Sequence, residues 1–161
     1  MQIKLFLTGG TIDKKYNELS GELDYKKTHI QEMLKQARSR LDIHIEELML
    51  VDSLDMTDSQ RQQILHACQS TDQHKIVITH GTDTMVETAR LLGENIQDKT
   101  IVLFGSMIPF AFGGSDALFN FGAALAAAQT LGQGVYITMN GKIFEWDKVV
   151  KNRQLGEFQP R

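Results

Sequence analysis
A chain of 161 residues with a formal net charge of −3 is long enough to bury one hydrophobic core unaided, and it has no Lys/Arg excess for holding nucleic acid. Hydrophobic residues make up 42% and charged residues 23%, an ordinary globular balance, so a small polar ligand fits better than a polyanion. Cys68 is the only cysteine, which excludes an internal disulfide, and its setting in Ile64-Leu65-His66-Ala67-Cys68 predicts a buried structural thiol.

In chain order, the apolar start Met1–Leu7 meets Gly9-Gly10 too early for a signal peptide. No apolar run nears the roughly 20 residues of a membrane span, so a cytoplasmic protein without membrane contact is expected. Lys4–Thr8 reads as a buried strand, and the polar, turn-rich stretch Ile12–Tyr25 as a hairpin or mobile loop. Thr28 with Gln31 forms a capping-box pattern ahead of a helix carrying Ile30, Met33, Leu34, Ala37 and Leu41. Ile43–Val51 is the next strand, and Thr57 with Gln60 repeats the capping box before a helix through Cys68.

Lys75–Thr79 is a third strand, and Thr82–Leu92 a helix with Met85, Ala89 and Leu92 on one face. Ile101–Gly105 is a fourth strand, followed by an Ala-rich helix near Ala117–Leu131. Val135–Met139 is a fifth, which Lys142–Phe144 extends as a hairpin. Alternation of this kind predicts one α/β domain over 1–161, three-layer and Rossmann-like, with a mostly parallel sheet covered by helices on both faces. Ligands in such sheets bind beyond the carboxyl ends of the strands, which singles out Gly9-Gly10-Thr11, Asp52–Asp55, His80–Asp83, Ser106-Met107 and Asn140.

Each segment has a plain and a chemical reading. Gly9-Gly10 lets the backbone turn sharply and leaves Thr11 at a strand tip; a simple strand-to-loop turn would look the same. A dinucleotide fingerprint does not fit, because no G-x-G-x-x-G opens a helix. Thr82 and Asp83 would occupy a first helical turn with free N–H groups, as a ligand site or as an ordinary acidic cap. His80 fits a hydrogen-bonded core residue better than a general base. Ser53 could bind a carboxylate, and Asp55 could cap the next helix. Lys151, after Val149-Val150, reads on its own as solvated surface.

Together these segments resemble one family. Thr8-Gly9-Gly10-Thr11-Ile12 and His80-Gly81-Thr82-Asp83-Thr84 are similar to the two signature motifs of the bacterial-type L-asparaginases. Asp52-Ser53-Leu54-Asp55-Met56 resembles that family's substrate-binding segment, and Gly105-Ser106-Met107 with Asp116 and Asn120 its fourth-strand region. Val149-Val150-Lys151 resembles the stretch holding its catalytic lysine, and the order matches throughout.

The resemblance implies hydrolysis of L-asparagine to L-aspartate and ammonia, with Thr11 as nucleophile and Tyr16 of the mobile loop as its partner; Tyr25 is a second candidate. It implies that Thr82, Asp83 and Lys151 form a proton-relaying triad, and that Ser53 and Asp83 hold the substrate's α-carboxylate and α-ammonium. Gly10, Gly81 and Ser106 would line the substrate site, with nearby N–H groups meeting the oxyanion. Leu54 stands where the family commonly has glutamine, and only the family's N-terminal domain is covered, so its second domain is expected to be absent. No His/Cys cluster has metal-ligand spacing and no P-loop is present, so neither metal nor cofactor is expected. A broader amidase or glutaminase is an alternative, as is a non-catalytic amino-acid-binding or interaction module. A homo-oligomer is expected, with Phe110 and Phe112 either in the interface or folded back on their own core.

Overall fold
The computed structural model describes residues 1–161. Short β-branched runs form its centre: β1 (Gln2–Gly9), β4 (Asp42–Val51), β5 (Lys75–Thr79), β6 (Thr100–Phe104) and β7 (Gly134–Met139) lie parallel in the order β4-β1-β5-β6-β7. At the β7 edge, β8 (Lys142–Glu145) turns back antiparallel, as the sequence predicts. Alternate residues of each buried strand face opposite sides, which is why these strands read as continuous apolar runs. Ile76 and Ile78 pack on α2 (Asp58–Ser70) and α3 (Met85–Asn95), through Ile64, Leu65, Cys68, Ala89 and Leu92. Val77, Val102 and Phe104 pack on α1 (Ile30–Gln36) and α4 (Ala117–Thr130), through Ile30, Met33, Phe121 and Ala124. The architecture is therefore the three-layer α/β arrangement expected, and no helix is long and apolar enough to cross a membrane.

Two small hairpins stand outside the sheet. The polar stretch after β1 forms a 3₁₀ turn (Thr11–Asp13) and the antiparallel pair β2 (Lys14–Asn17) and β3 (Glu22–Tyr25). The second pair, β9 (Val149–Asn152) and β10 (Glu157–Pro160), is not among the elements the sequence predicts. Val149 and Phe158 are its anchors, both buried in the core between the sheet and α2/α3.

Several local expectations need correcting. Thr57 and Gln60 make the full reciprocal capping box, so Asp55 is not the cap. Thr28 and Gln31 make none: the Thr28 hydroxyl donates to Asp13 Oδ1 (3.1 Å) and accepts the Ile30 N–H instead. A buried carboxylate two residues past Thr11 thus takes the proton of that hydroxyl and the His29 N–H, while the hydroxyl oxygen meets the first helical N–H instead of the third. The helix stops at Gln36, short of Leu41, with Arg38 at positive φ behind it. The third helix begins at Met85 rather than Thr82, leaving Thr82-Asp83-Thr84 as a turn.

The amino ends of the strands are closed by lysine. The buried ammonium of Lys99 donates to the carbonyls of Cys68 (2.8 Å), Gln69 (3.3 Å) and Thr71, capping the last turn of α2. Hydrogen bonds to a charged group contribute more than neutral ones. Lys99→Met should therefore cost about 2–3 kcal/mol in urea unfolding with an unchanged m value. A cost below about 0.5 kcal/mol would show that water replaces the ammonium without loss.

Candidate active site
The connection from β1 crosses one face of the sheet through α1, whereas the one from β5 crosses the other through α3. Chain leaving two neighbouring strands in opposite directions opens a crevice at their carboxyl ends. Thr8 and Thr79 fix the floor: Thr8 N donates to Thr79 Oγ1 (3.1 Å), and the Thr8 hydroxyl donates to the Thr79 carbonyl (2.5 Å).

Above this floor the backbones touch. Gly10 has φ 89°, and a Cβ added to it would lie 2.5 Å from Gly81 N. One added to Gly81 would lie 2.5 Å from Ser53 Oγ. Only glycine at both places lets the ends of β1, β5 and β4 meet, and this brings Thr11, Thr82 and Ser53 to one crevice. The Gly10 N–H is not free for a ligand, because it donates to Val51 O (3.0 Å). The N–H groups of Gly81, Thr82 and Asp83 make no backbone hydrogen bond and remain available.

Lys151 is the best-defined side chain of the site. Its ammonium donates to Thr82 Oγ1 (2.8 Å) and Asp83 Oδ1 (2.7 Å), and its side chain is 8% exposed. The surface reading of this lysine is thereby corrected. Strand alternation sets the direction: Val149, two residues earlier on the same face, is buried in the core, and Phe158 pairs with Lys151 across the hairpin. Arg153 Nη2 adds a weaker bond to the Asp83 carbonyl (3.4 Å).

Ser53 is buried, and its Oγ accepts the Thr84 N–H (3.4 Å) while its carbonyl accepts the Thr84 hydroxyl (2.8 Å). Its hydroxyl donates to no protein group, and its Oγ lies against Gly81. Thr84, read only as part of a motif, is thus the residue that orients Ser53. Ser106 is buried at the end of β6, but its hydroxyl donates to Ile108 O (2.8 Å), so its proton serves a turn rather than a ligand. Asp116 accepts the Met107 and Ile108 N–H groups, and Asn120 ties Gly105 to Asn140. These two residues build the rim and do not enter the crevice chemistry.

Thr11 opens the 3₁₀ turn half-buried, its hydroxyl unengaged by any protein group. The two tyrosines divide differently from expectation. Tyr25 stands opposite Lys14 at the base of the hairpin, its buried hydroxyl near the Gly10 backbone but without a hydrogen-bond partner in the protein. Burial first, and the Asp52 charge second, push this phenol well above its ordinary value. Tyr16 shares that hairpin face two residues farther out, is 54% exposed, and makes no hydrogen bond to Thr11. Leu54 is 64% exposed and offers no polar contact. In the neighbouring loop, Phe110 folds back against His29, while Phe112 stays exposed. No three His, Cys, Asp or Glu side chains converge anywhere in the chain.

His80 is a core residue. Nδ1 donates to Gly81 O (2.8 Å), which leaves Nε2 to accept from the Thr88 hydroxyl (2.7 Å). Full burial lowers its pKa to about 4, so it is neutral at pH 7 and has no free nitrogen for a substrate.

The asparaginase N-terminal family model matches residues 2–156. The chain is 32% identical over 162 residues to a probable periplasmic L-asparaginase of Haemophilus influenzae, covering 92% of this chain and 46% of that one. It is 40% identical over 86 residues to a glutaminase-asparaginase of Pseudomonas fluorescens, covering 51% and 24%. The solved thermostable L-asparaginase of Thermococcus kodakarensis superimposes with a TM-score of 0.87 at 29% identity, over 99% of this chain and 51% of that one. The chain thus spans about half the length of the relatives it matches over its full extent.

The histidine assignment can be checked directly. Of the five histidines, one imidazole should stay neutral through pH 5 by NMR titration and protonate near pH 4. A lowered folded-state value means that the unfolded chain takes up its proton first. The contribution of His80 is therefore complete above about pH 6.5 and is lost progressively as pH falls toward 4. Five imidazoles all titrating near 6.5 would contradict the buried tautomer.

Proposed function
Because the chain belongs to the asparaginase family, we propose that it hydrolyses the side-chain amide of L-asparagine to L-aspartate and ammonia, with Thr11 as nucleophile. The observation that carries this reading is Lys151, held out of water between Thr82 and Asp83. A lysine in that setting can pass a proton through the Thr82 hydroxyl, which a solvated lysine cannot do in a defined direction. Residues 1–161 act in this proposal as one asparaginase N-terminal-type unit.

In the proposed cycle the Thr11 oxygen attacks the amide carbon as its proton is withdrawn, and the free N–H groups near Thr82 stabilise the developing oxyanion. Collapse of the tetrahedral intermediate breaks the C–N bond, and a proton delivered to the nitrogen releases ammonia. Water then attacks the ester on Thr11, and aspartate leaves. The Ser53 hydroxyl, with its proton free, suits the substrate's α-carboxylate, and the half-exposed Asp83 carboxylate suits its α-ammonium. For the hydroxyl that partners Thr11, Tyr25 at Gly10 is better placed than Tyr16. Gly10 and Gly81 contribute by allowing the approach and Ser106 by holding the rim.

A broader amidase is supported by Leu54, which supplies no polar group to measure the length of the substrate. Against a pure binding module stands the triad itself, since holding an amino acid does not require a lysine buried against a hydroxyl. Association with a second copy is also proposed. Phe112 and Met107 near the crevice, with Phe119 on α4 packed beside Gly141, leave apolar surface exposed at the site end of the sheet.

Ammonia release from asparagine and then glutamine tests the reading. Thr11→Ala should abolish turnover with folding intact, and Lys151→Met should lower kcat by at least about a hundredfold. Tyr25→Phe should cost more than Tyr16→Phe. A wild-type rate in Thr11→Ala would sink the mechanism. A monomer by light scattering with full activity would remove the second copy.

A further inference from the structure
The mechanism above leaves the β2–β3 hairpin without an account of what holds it in place. Of all the side-chain hydrogen bonds made by residues 14–25, only one leaves the hairpin: the Lys14 ammonium donates to Asp52 Oδ2. The same pair is the hairpin's only ion pair to the rest of the chain. Both side chains are largely withdrawn from water, so this bond is screened less than a surface pair.

Each partner also reaches the crevice. Lys14 is bound at its other end to the nucleophile's turn, since its N–H donates to the Thr11 carbonyl. Its ammonium sits 5.9 Å from the centre of the Tyr25 ring, the residue paired with it across the hairpin. Asp52 immediately precedes Ser53. Its second oxygen accepts the Leu54 N–H (3.0 Å), and its carbonyl accepts the Asp55 N–H (3.0 Å), so it shapes the turn that presents Ser53. Burial alone would raise its pKa, but the Lys14 and Leu54 hydrogen bonds outweigh this and leave the carboxyl below its ordinary value, ionised at neutral pH.

We propose that Lys14 and Asp52 form a latch that holds the β2–β3 hairpin against the body and thereby positions Tyr25 beside Gly10 and the Ser53 turn beneath it. The two are positioning residues: neither touches the reacting atoms. The latch belongs to neither signature motif, and it couples the nucleophile's loop to the carboxylate-binding loop through one bond. Its role in turnover rests on the amidohydrolase reading; its role in holding the hairpin does not.

The experiment measures two things on the full chain, for the wild type, Lys14→Met, Asp52→Asn, Lys14→Arg and the exchanged pair Lys14→Asp/Asp52→Lys. Hydrogen exchange of amides 15–25 should quicken by about tenfold or more in the two single deletions, with the amides of β1 and β5 unchanged. Lys14→Arg should stay within about threefold of wild type, and the exchanged pair should recover part of the protection. For ammonia release, the deletions should lower kcat/KM by about tenfold, with kcat falling as well as KM rising, because Tyr25 and the Ser53 turn move together. Unchanged exchange in Lys14→Met would overturn the latch. A loosened hairpin with wild-type kcat/KM would overturn its positioning role. If the wild type releases no ammonia from either amide, the functional reading falls, and exchange alone decides the latch.

Discussion
The close approach of Gly10, Gly81 and Ser53 is the constraint on which the rest of this structure depends. Three strand ends can share one crevice only if their backbones come within van der Waals reach, and a single methyl group at Gly10 or Gly81 would stand 2.5 Å from its neighbour. The parallel sheet supplies the rough convergence, because β1 lies between β4 and β5. The glycines supply the last few ångströms. The Thr8–Thr79 pair then forbids β1 and β5 to slide, so that Thr11 and Thr82 keep a fixed spacing above it. Substituting either glycine would damage the site through geometry even if every polar side chain were retained.

The charged half of the crevice obeys a different rule. A buried lysine is costly unless it is paired and hydrogen-bonded, and Lys151 has both a carboxylate and a hydroxyl within 2.8 Å. The β9–β10 hairpin makes this possible by sinking Val149 and Phe158 into the core, so that the next inward-facing position of β9 meets Thr82 and Asp83. Apolar burial of Val149 and Phe158 thus fixes a polar contact two residues along the same face of the hairpin. The turn at Thr82–Thr84 is part of the same arrangement. Its groups are drawn sideways to Lys151 and Ser53, and the helix starts only at Met85.

That competition explains what could and could not be read from the sequence. Strands such as Lys75–Thr79 were legible to the residue, because β-branched runs bounded by polar residues leave little alternative. The Thr57 box was legible because nothing else nearby wants that hydroxyl. Thr28 has the same local pattern, yet Asp13, fifteen residues earlier, takes its hydroxyl, and no local rule sees across that distance. Lys151 read as surface because its burial depends on a hairpin whose second strand, Glu157–Pro160, carries little apolar signal beyond Phe158. The order of Tyr16 before Tyr25 rested on likeness to the family loop, whereas their placement follows from the hairpin register: Tyr25 pairs with Lys14 at the base, Tyr16 with Leu23 farther out.

The two halves of the crevice therefore differ in how firmly they are built. Thr82, Asp83 and Lys151 stand on strand ends and a core-anchored hairpin, with short bonds to a lysine that is itself withdrawn from water. Thr11 and Tyr25 stand on a 3₁₀ turn and a two-stranded hairpin, and an isolated pair of strands has little stability of its own. Under the proposed function the first half is preorganised, which suits groups that would move protons along a fixed line. Under the proposed function the second half would be the one to admit a substrate, since local openings are drawn from the least stable elements of a fold. One charged pair supplies the hairpin's side-chain polar contact to the body, beside the partly buried Tyr25 and the core residue Ile12. The same pair joins the Thr11 turn to the Ser53 loop, because the Lys14 N–H donates to the Thr11 carbonyl and Asp52 Oδ1 accepts the Leu54 N–H.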